Sequence, residues 1–114
     1  MITIWHNPRC SKSRQALALI EAAGIDVTVR KYLEDAPGVA ELETAQQALG
    51  LTSAIDMMRT GEKVFRELGL SKDTPDTDLR SAMATHPILI ERPIVFNAGN
   101  AVVGRPPEAV KALL

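Results

Sequence analysis

Apolar and polar positions change their period several times along the chain, and each change marks an element. Ile2–Trp5 is short, β-branched and aromatic, the pattern of a strand, and it runs straight into the polar loop His6-Asn7-Pro8-Arg9. Over 11–23 the apolar residues Ala16, Leu17, Leu19, Ile20 and Ala23 recur at three- and four-residue spacing, which predicts a helix stopped by Gly24. Over 26–32 the period falls back to two, with Val27 and Val29 on one side, and a second strand is expected. A strand–helix–strand connection of this length is right-handed and makes the two strands parallel.

From 39 to 86 the texture is helical. Helices are predicted over 39–49, ended by Gly50; over 53–59, ended near Gly61; over 64–68, before Gly69; and over 76–85, ended by Pro87. Two short apolar runs, 94–96 and 101–103, flank Asn97-Ala98-Gly99-Asn100 and predict a β-hairpin. Pro106 and Pro107 then open a closing helix to Leu114, where a missing N–H costs little. The fold class is therefore α/β: a four-stranded mixed sheet flanked by helices, with a helical insertion between the second and third strands. One domain over 1–114 is expected, its insertion spanning about 38–87 without a Ser/Gly-rich linker.

Composition narrows the function. The 114 residues are 46% apolar and 24% charged, with a formal net charge of -1, which gives no general reason to expect nucleic acid or an anionic membrane as partner. The apolar run 16–20 is far shorter than the roughly 18 residues of a membrane span. No basic leader precedes the first strand, and the single cysteine excludes an intrachain disulfide and a cysteine-based metal cluster. A cytoplasmic location, no bound cofactor and no metal are the expectations.

That cysteine, Cys10, falls where the first helix begins. A helix start offers unpaired N–H groups and the positive end of the macrodipole, which favour a thiolate, and Arg9, Lys12 and Arg14 add positive potential. A thiolate is a nucleophile, so catalysis through Cys10 is expected. The bland alternative, a small buried cysteine, is disfavoured because Pro8-Arg-Cys-Ser-Lys-Ser13 supplies no apolar neighbour. Cys10 and Ser13 form a Cys-x-x-Ser, so anything bonded to Cys10 must be cleared by an outside thiol. A tyrosine-phosphatase-type loop needs Cys-x5-Arg, and Ala16 stands where that arginine belongs.

Three arginines are candidates for an oxyanion pocket: Arg92 before Pro93 at the start of a strand, Arg105 between Gly104 and Pro106, and Arg59 before Thr60-Gly61. Planar guanidinium groups suit tetrahedral oxyanions because they donate in pairs. Each has a plainer reading as well. Arg59 could complement a helix C-terminus, and Arg105 could be a solvated strand end. His6 could tune the thiol or be an ordinary hydrogen-bonding residue; Asn7 before Pro8 could do the same or merely start a turn.

His6-Asn7-Pro8-x-Cys10-Ser-x-Ser13-Arg14, Tyr32-Leu33, Glu67-Leu-Gly-Leu70, His86-Pro-Ile-Leu-Ile-x-Arg92-Pro-Ile-Val95 and Gly104-Arg105-Pro106 together resemble the glutaredoxin-dependent arsenate reductase family, in order and over nearly the full chain. The resemblance implies a thioredoxin-like fold, with Pro93 at the position where such folds carry a cis proline facing the reactive cysteine. It implies that Cys10 attacks arsenate to form a cysteine–arsenic adduct, that glutathione adds as co-substrate, and that glutaredoxin completes the reduction and releases arsenite. Arg59, Arg92 and Arg105 fall on the family's oxyanion-binding arginines, and His6, with Asn7, on its positions beside the thiol.

Two other functions share the fold. An Spx-type transcription regulator binding RNA polymerase usually carries Cys-x-x-Cys as its switch, whereas this chain has Cys-x-x-Ser. A glutathione-linked thiol reductase acting on another substrate keeps Cys10 but has no use for three arginines.

Overall fold

The computed structural model describes residues 1–114, which fold as two compact units: Met1–Asp35 with Arg92–Leu114, and Ala36–Glu91 between them. The second unit is slightly wider at both ends than the insertion read from the sequence.

The first unit holds the sheet. β1 (Ile2–Trp5) pairs in parallel with β2 (Val27–Arg30) and antiparallel with β3 (Ile94–Asn97), which pairs antiparallel with β4 (Asn100–Val103). The order β2-β1-β3-β4 is the mixed four-stranded sheet expected. β1 is central because its residues are apolar on both faces: Ile2 and Ile4 bury on one, Trp5 on the other. Trp5 meets the Phe96 ring at 4.8 Å, and the Arg30 guanidinium lies 5.7 Å from the Trp5 centroid. The β3–β4 turn has positive φ at both central residues, Ala98 (53°) and Gly99 (83°), the twist that suits a two-residue hairpin.

α1 (Ser11–Ala22) crosses between β1 and β2 and stops at Gly24, whose φ of 72° no side chain favours. Its Ala16 and Ile20 are fully buried in a cluster with Ile2, Ile4, Val95 and Val110. Burial of each large aliphatic side chain there stabilises by about 1.5–3 kcal/mol. Val110 comes from the closing segment, a 3₁₀ helix over Pro107–Leu113.

β2 is shorter than its 26–32 pattern because the Lys31 carbonyl accepts from the Glu34 and Asp35 N–H groups, turning the chain out of the sheet.

The second unit packs α2 (Val39–Ala48) against α4 (Asp76–Thr85), with Leu42, Ala45, Leu79 and Met83 buried; it also holds α3 (Lys63–Glu67), whose Phe65 is buried. Gln46 is buried but satisfied: its amide donates to Asp76 Oδ2 (3.0 Å) and its carbonyl accepts from Arg80 Nη1 (2.8 Å). The helix expected over 53–59 is only a 3₁₀ turn, Ala54–Met57. Met58 is extended instead and bridges to Ile90, with the Arg59 N–H on the Leu89 carbonyl (2.7 Å) and the Glu91 N–H on the Met57 carbonyl (2.9 Å). A backbone partner some thirty residues away outweighs the local helical pattern.

Candidate active site

β1 delivers the chain to a loop whose polar groups are spent on one another. The pairing with β2 runs one residue past the strand, since the His6 N–H donates to the Arg30 carbonyl at 2.8 Å. Asn7 then organises the turn. Its side-chain Oδ1 accepts from the Arg9 N–H (3.0 Å), and its carbonyl accepts from the Cys10 N–H (3.0 Å). Arg14, one turn into α1, reaches back to the Pro8 carbonyl at 2.9 Å.

Cys10 is the N-cap residue of α1, with extended φ and ψ of -97° and 122°, and its carbonyl accepts the first helical bond from Arg14. No side chain caps this helix, so N–H groups of its first turn remain available to an anion. The placement is the one expected, but the exposure is not: Cys10 is only 9% exposed. Its neighbours in sequence are polar, yet they bond to one another through Asn7 and Arg14. Local polarity did not foretell this burial.

Ser13 is the residue that sequence reasoning missed. It is fully buried, its Oγ lies 2.6 Å from His6 Nδ1, and it accepts from the Asn7 N–H at 3.0 Å. One hydroxyl thus ties the end of β1, the loop and α1 together. The signal was present: Ser13, Ala16 and Ile20 share the buried stripe of the helix, and a polar residue on such a stripe must find partners. The His6 ring is hydrogen-bonded to Ser13, and burial lowers the imidazole's pKa below 6.5, helped by the Lys31 and Arg14 charges and opposed by Glu21. His6 is therefore neutral at pH 7.

Arg92 and Arg105 come together. The Arg92–Pro93 and Arg105–Pro106 peptide bonds are both cis. Arg105 Nη1 donates to the Arg92 carbonyl at 3.3 Å, and the Gly104 N–H donates to the Pro93 carbonyl at 2.8 Å. A Cβ at Gly104 would stand 2.8 Å from Pro93 Cγ and 3.3 Å from Ala16 Cβ, so this segment lies directly against α1. Arg59 belongs to the second unit, where Glu62 takes its guanidinium by Nε (3.1 Å) and Nη2 (2.9 Å). It does not complement a helix C-terminus, because the chain is already extended at Met58.

The chain has extensive relatives. Residues 5–113 match the family model described as ArsC family. A Neisseria meningitidis protein named arsenate reductase is 51% identical, covering 99% of this chain and 97% of its own length. One from Haemophilus influenzae with the same name is 42% identical over 99% and 98% of the two chains. A solved structure described as arsenate reductase from Vibrio cholerae superposes with a TM-score of 0.96 at 51% identity, over 99% of this chain and 97% of that one. With its thioredoxin-like sheet and full-length matches, this chain belongs to the ArsC family.

Proposed function

We propose that this protein reduces arsenate to arsenite through Cys10, drawing electrons from glutathione and glutaredoxin. The observation that carries the reading is the position of its only cysteine, at the uncapped N-terminus of α1, in a chain half identical over its whole length to proteins named arsenate reductase.

The Cys10 thiolate attacks arsenic(V), and an arsenate oxygen leaves as water. Glutathione displaces a second oxygen in the same way, leaving arsenic bonded to two sulfurs. The glutaredoxin thiolate attacks the glutathione sulfur, and the electron pair of that sulfur–arsenic bond stays on arsenic. Arsenic is now trivalent, the two thiols have become a mixed disulfide, and water releases arsenite and the Cys10 thiol. Arg92 and Arg105 supply donors for the oxyanion as negative charge builds on it. Arg59 is the third arginine of the reading; an anion that recruits it must compete with Glu62.

The test is arsenate-dependent oxidation of glutathione by the purified protein with glutaredoxin, scored by arsenite formed. Wild type is expected to turn over. Cys10→Ser should be folded and inactive, and Arg92→Ala should raise KM for arsenate about tenfold, the loss of one charge-assisted hydrogen bond of about 1.5 kcal/mol. Glutathione oxidation that proceeds equally without arsenate would mean a general thiol reductase instead.

A further inference from the structure

A cleft of about 250 Å³ opens beside the cysteine loop, and none of Arg59, Arg92 and Arg105 lines it. It exists because β1 and β2 are parallel neighbours, ending in register at Trp5 and Arg30, so the loops that follow them leave the same edge of the sheet. One wall is the stretch from His6 to Arg9, immediately before Cys10; the other is Lys31, Leu33 and Glu34. Its volume is just under the roughly 300–1,000 Å³ of small-molecule clefts.

The charges on it are unspent. Arg9, Lys31 and Glu34 make no ion pair, while Asp35, next in sequence to Glu34, is paired with Arg30 at 3.3 Å. Leu33 is 42% exposed and Pro8 is exposed beside it, giving the walls apolar ground between the charges. Lys31 and His6 line the same cleft, and the Lys31 charge disfavours protonation of the imidazole. The lining therefore offers two cations, one anion and a short apolar surface, and its Arg9 immediately precedes the cysteine that an external thiol must reach.

Resting on the arsenate reductase reading, the geometry points to this cleft as the glutathione subsite. Glutathione carries two carboxylates and one ammonium, the mirror of Arg9, Lys31 and Glu34, with its own thiol between them. Seated here, its thiol approaches the arsenic on Cys10 from the loop side, while Arg92 and Arg105 hold the oxyanion. The two cations fix a ligand that carries paired negative charge and leave an uncharged thiol without an anchor.

Two measurements test this, and they fail separately from the activity itself. The first is binding of S-methylglutathione, which has no free thiol, to the Cys10→Ser protein, followed by amide chemical shifts. Shifts should concentrate at Arg9, Lys31, Leu33 and Glu34, and binding should weaken at least tenfold in Lys31→Glu. The second is steady-state kinetics of the full assay, in which Lys31→Glu and Arg9→Glu should each raise KM for glutathione about tenfold with KM for arsenate within twofold, and Arg9→Lys should recover most of the loss. Shifts confined to other surfaces, or a glutathione KM unmoved by both charge reversals in an active enzyme, overturn the subsite. Specific, Lys31-dependent shifts in a protein that forms no arsenite uphold the subsite and overturn the arsenate reading.

Discussion

Replacing Ser13 with alanine removes one oxygen atom and, with it, the junction of strand, loop and helix. Ser13 is fully buried and His6 is 5% exposed, so the imidazole Nδ1 that faces Ser13 Oγ at 2.6 Å has no water to turn to. The Asn7 N–H, 3.0 Å from the same oxygen, is partly buried and loses its acceptor as well. A buried polar group left without a partner costs about 1–3 kcal/mol, and the partly solvated amide belongs at the low end of that range. The two together give about 2–4 kcal/mol. That is a large share of the roughly 5–15 kcal/mol that holds a domain folded, but not all of it.

Urea unfolding at pH 7.5 should therefore show a lower midpoint for Ser13→Ala with an unchanged slope, because little surface changes. A cycle with His6→Phe should find the pair coupled by about 1 kcal/mol or more, since a ring without Nδ1 has nothing to lose when the hydroxyl goes. Loss of less than about 0.5 kcal/mol, with no coupling, would refute the claim that this hydroxyl ties the loop to α1.

Three further outcomes follow from other contacts. His6 has a folded pKa below its unfolded 6.5, so the unfolded chain binds the extra proton; stability should be level above pH 6.5 and decline as pH falls from there toward the folded value, and His6→Gln should flatten that slope in urea titrations. Gly104→Ala sets a methyl 2.8 Å from Pro93 Cγ and 3.2 Å from Val110 Cγ1, and should cost about 1–3 kcal/mol by thermal unfolding, with a raised KM for arsenate as Arg92 and Arg105 shift. Asp76 is held below its usual 3.8 chiefly by the Gln46 amide and then the Ala54 N–H, with Arg80 assisting against burial. Its contribution is present above pH 3.8 and lost as pH falls through the folded value, so Asp76→Asn should lower stability by about 1 kcal/mol at pH 7 and converge with wild type in acid.

Much of the fold could be read from periodicity because its elements are set by near neighbours. Gly24, Gly50 and Gly69 all stop helices with φ near 70°, as their places after apolar-periodic runs implied. The hairpin is visible in Asn97-Ala-Gly-Asn100, where Gly99 takes a positive φ freely and Ala98, at 53°, takes one beside it. The misread elements depend on distant partners. Residues 53–59 carry a helical pattern, but Met58 leaves it to pair with Ile90, and nothing within the segment announces that partner. β2 stops short of its sequence pattern for a related reason: Lys31 and Tyr32 continue the strand's texture while the Lys31 carbonyl closes a turn.

The site divides along the same line. A helix start is a local event, so the sequence placed Cys10 at the N-cap without help from the rest of the fold. Exposure is not local. The run from Pro8 to Ser13 is polar, and polar runs usually face water, yet these groups bind each other: Asn7 to Arg9 and Cys10, Arg14 to Pro8, Ser13 to His6 and Asn7. The thiol these groups flank is buried even so, at 9% exposure. The N–H and C=O dipoles of a bonded loop are fixed and need not reorient as charge develops beside them, whereas loose water must. The burial that looked like an argument against reactivity is thus compatible with it, provided the loop's bonds are intact. Ser13, which holds two of them, then bears on the chemistry without touching the sulfur.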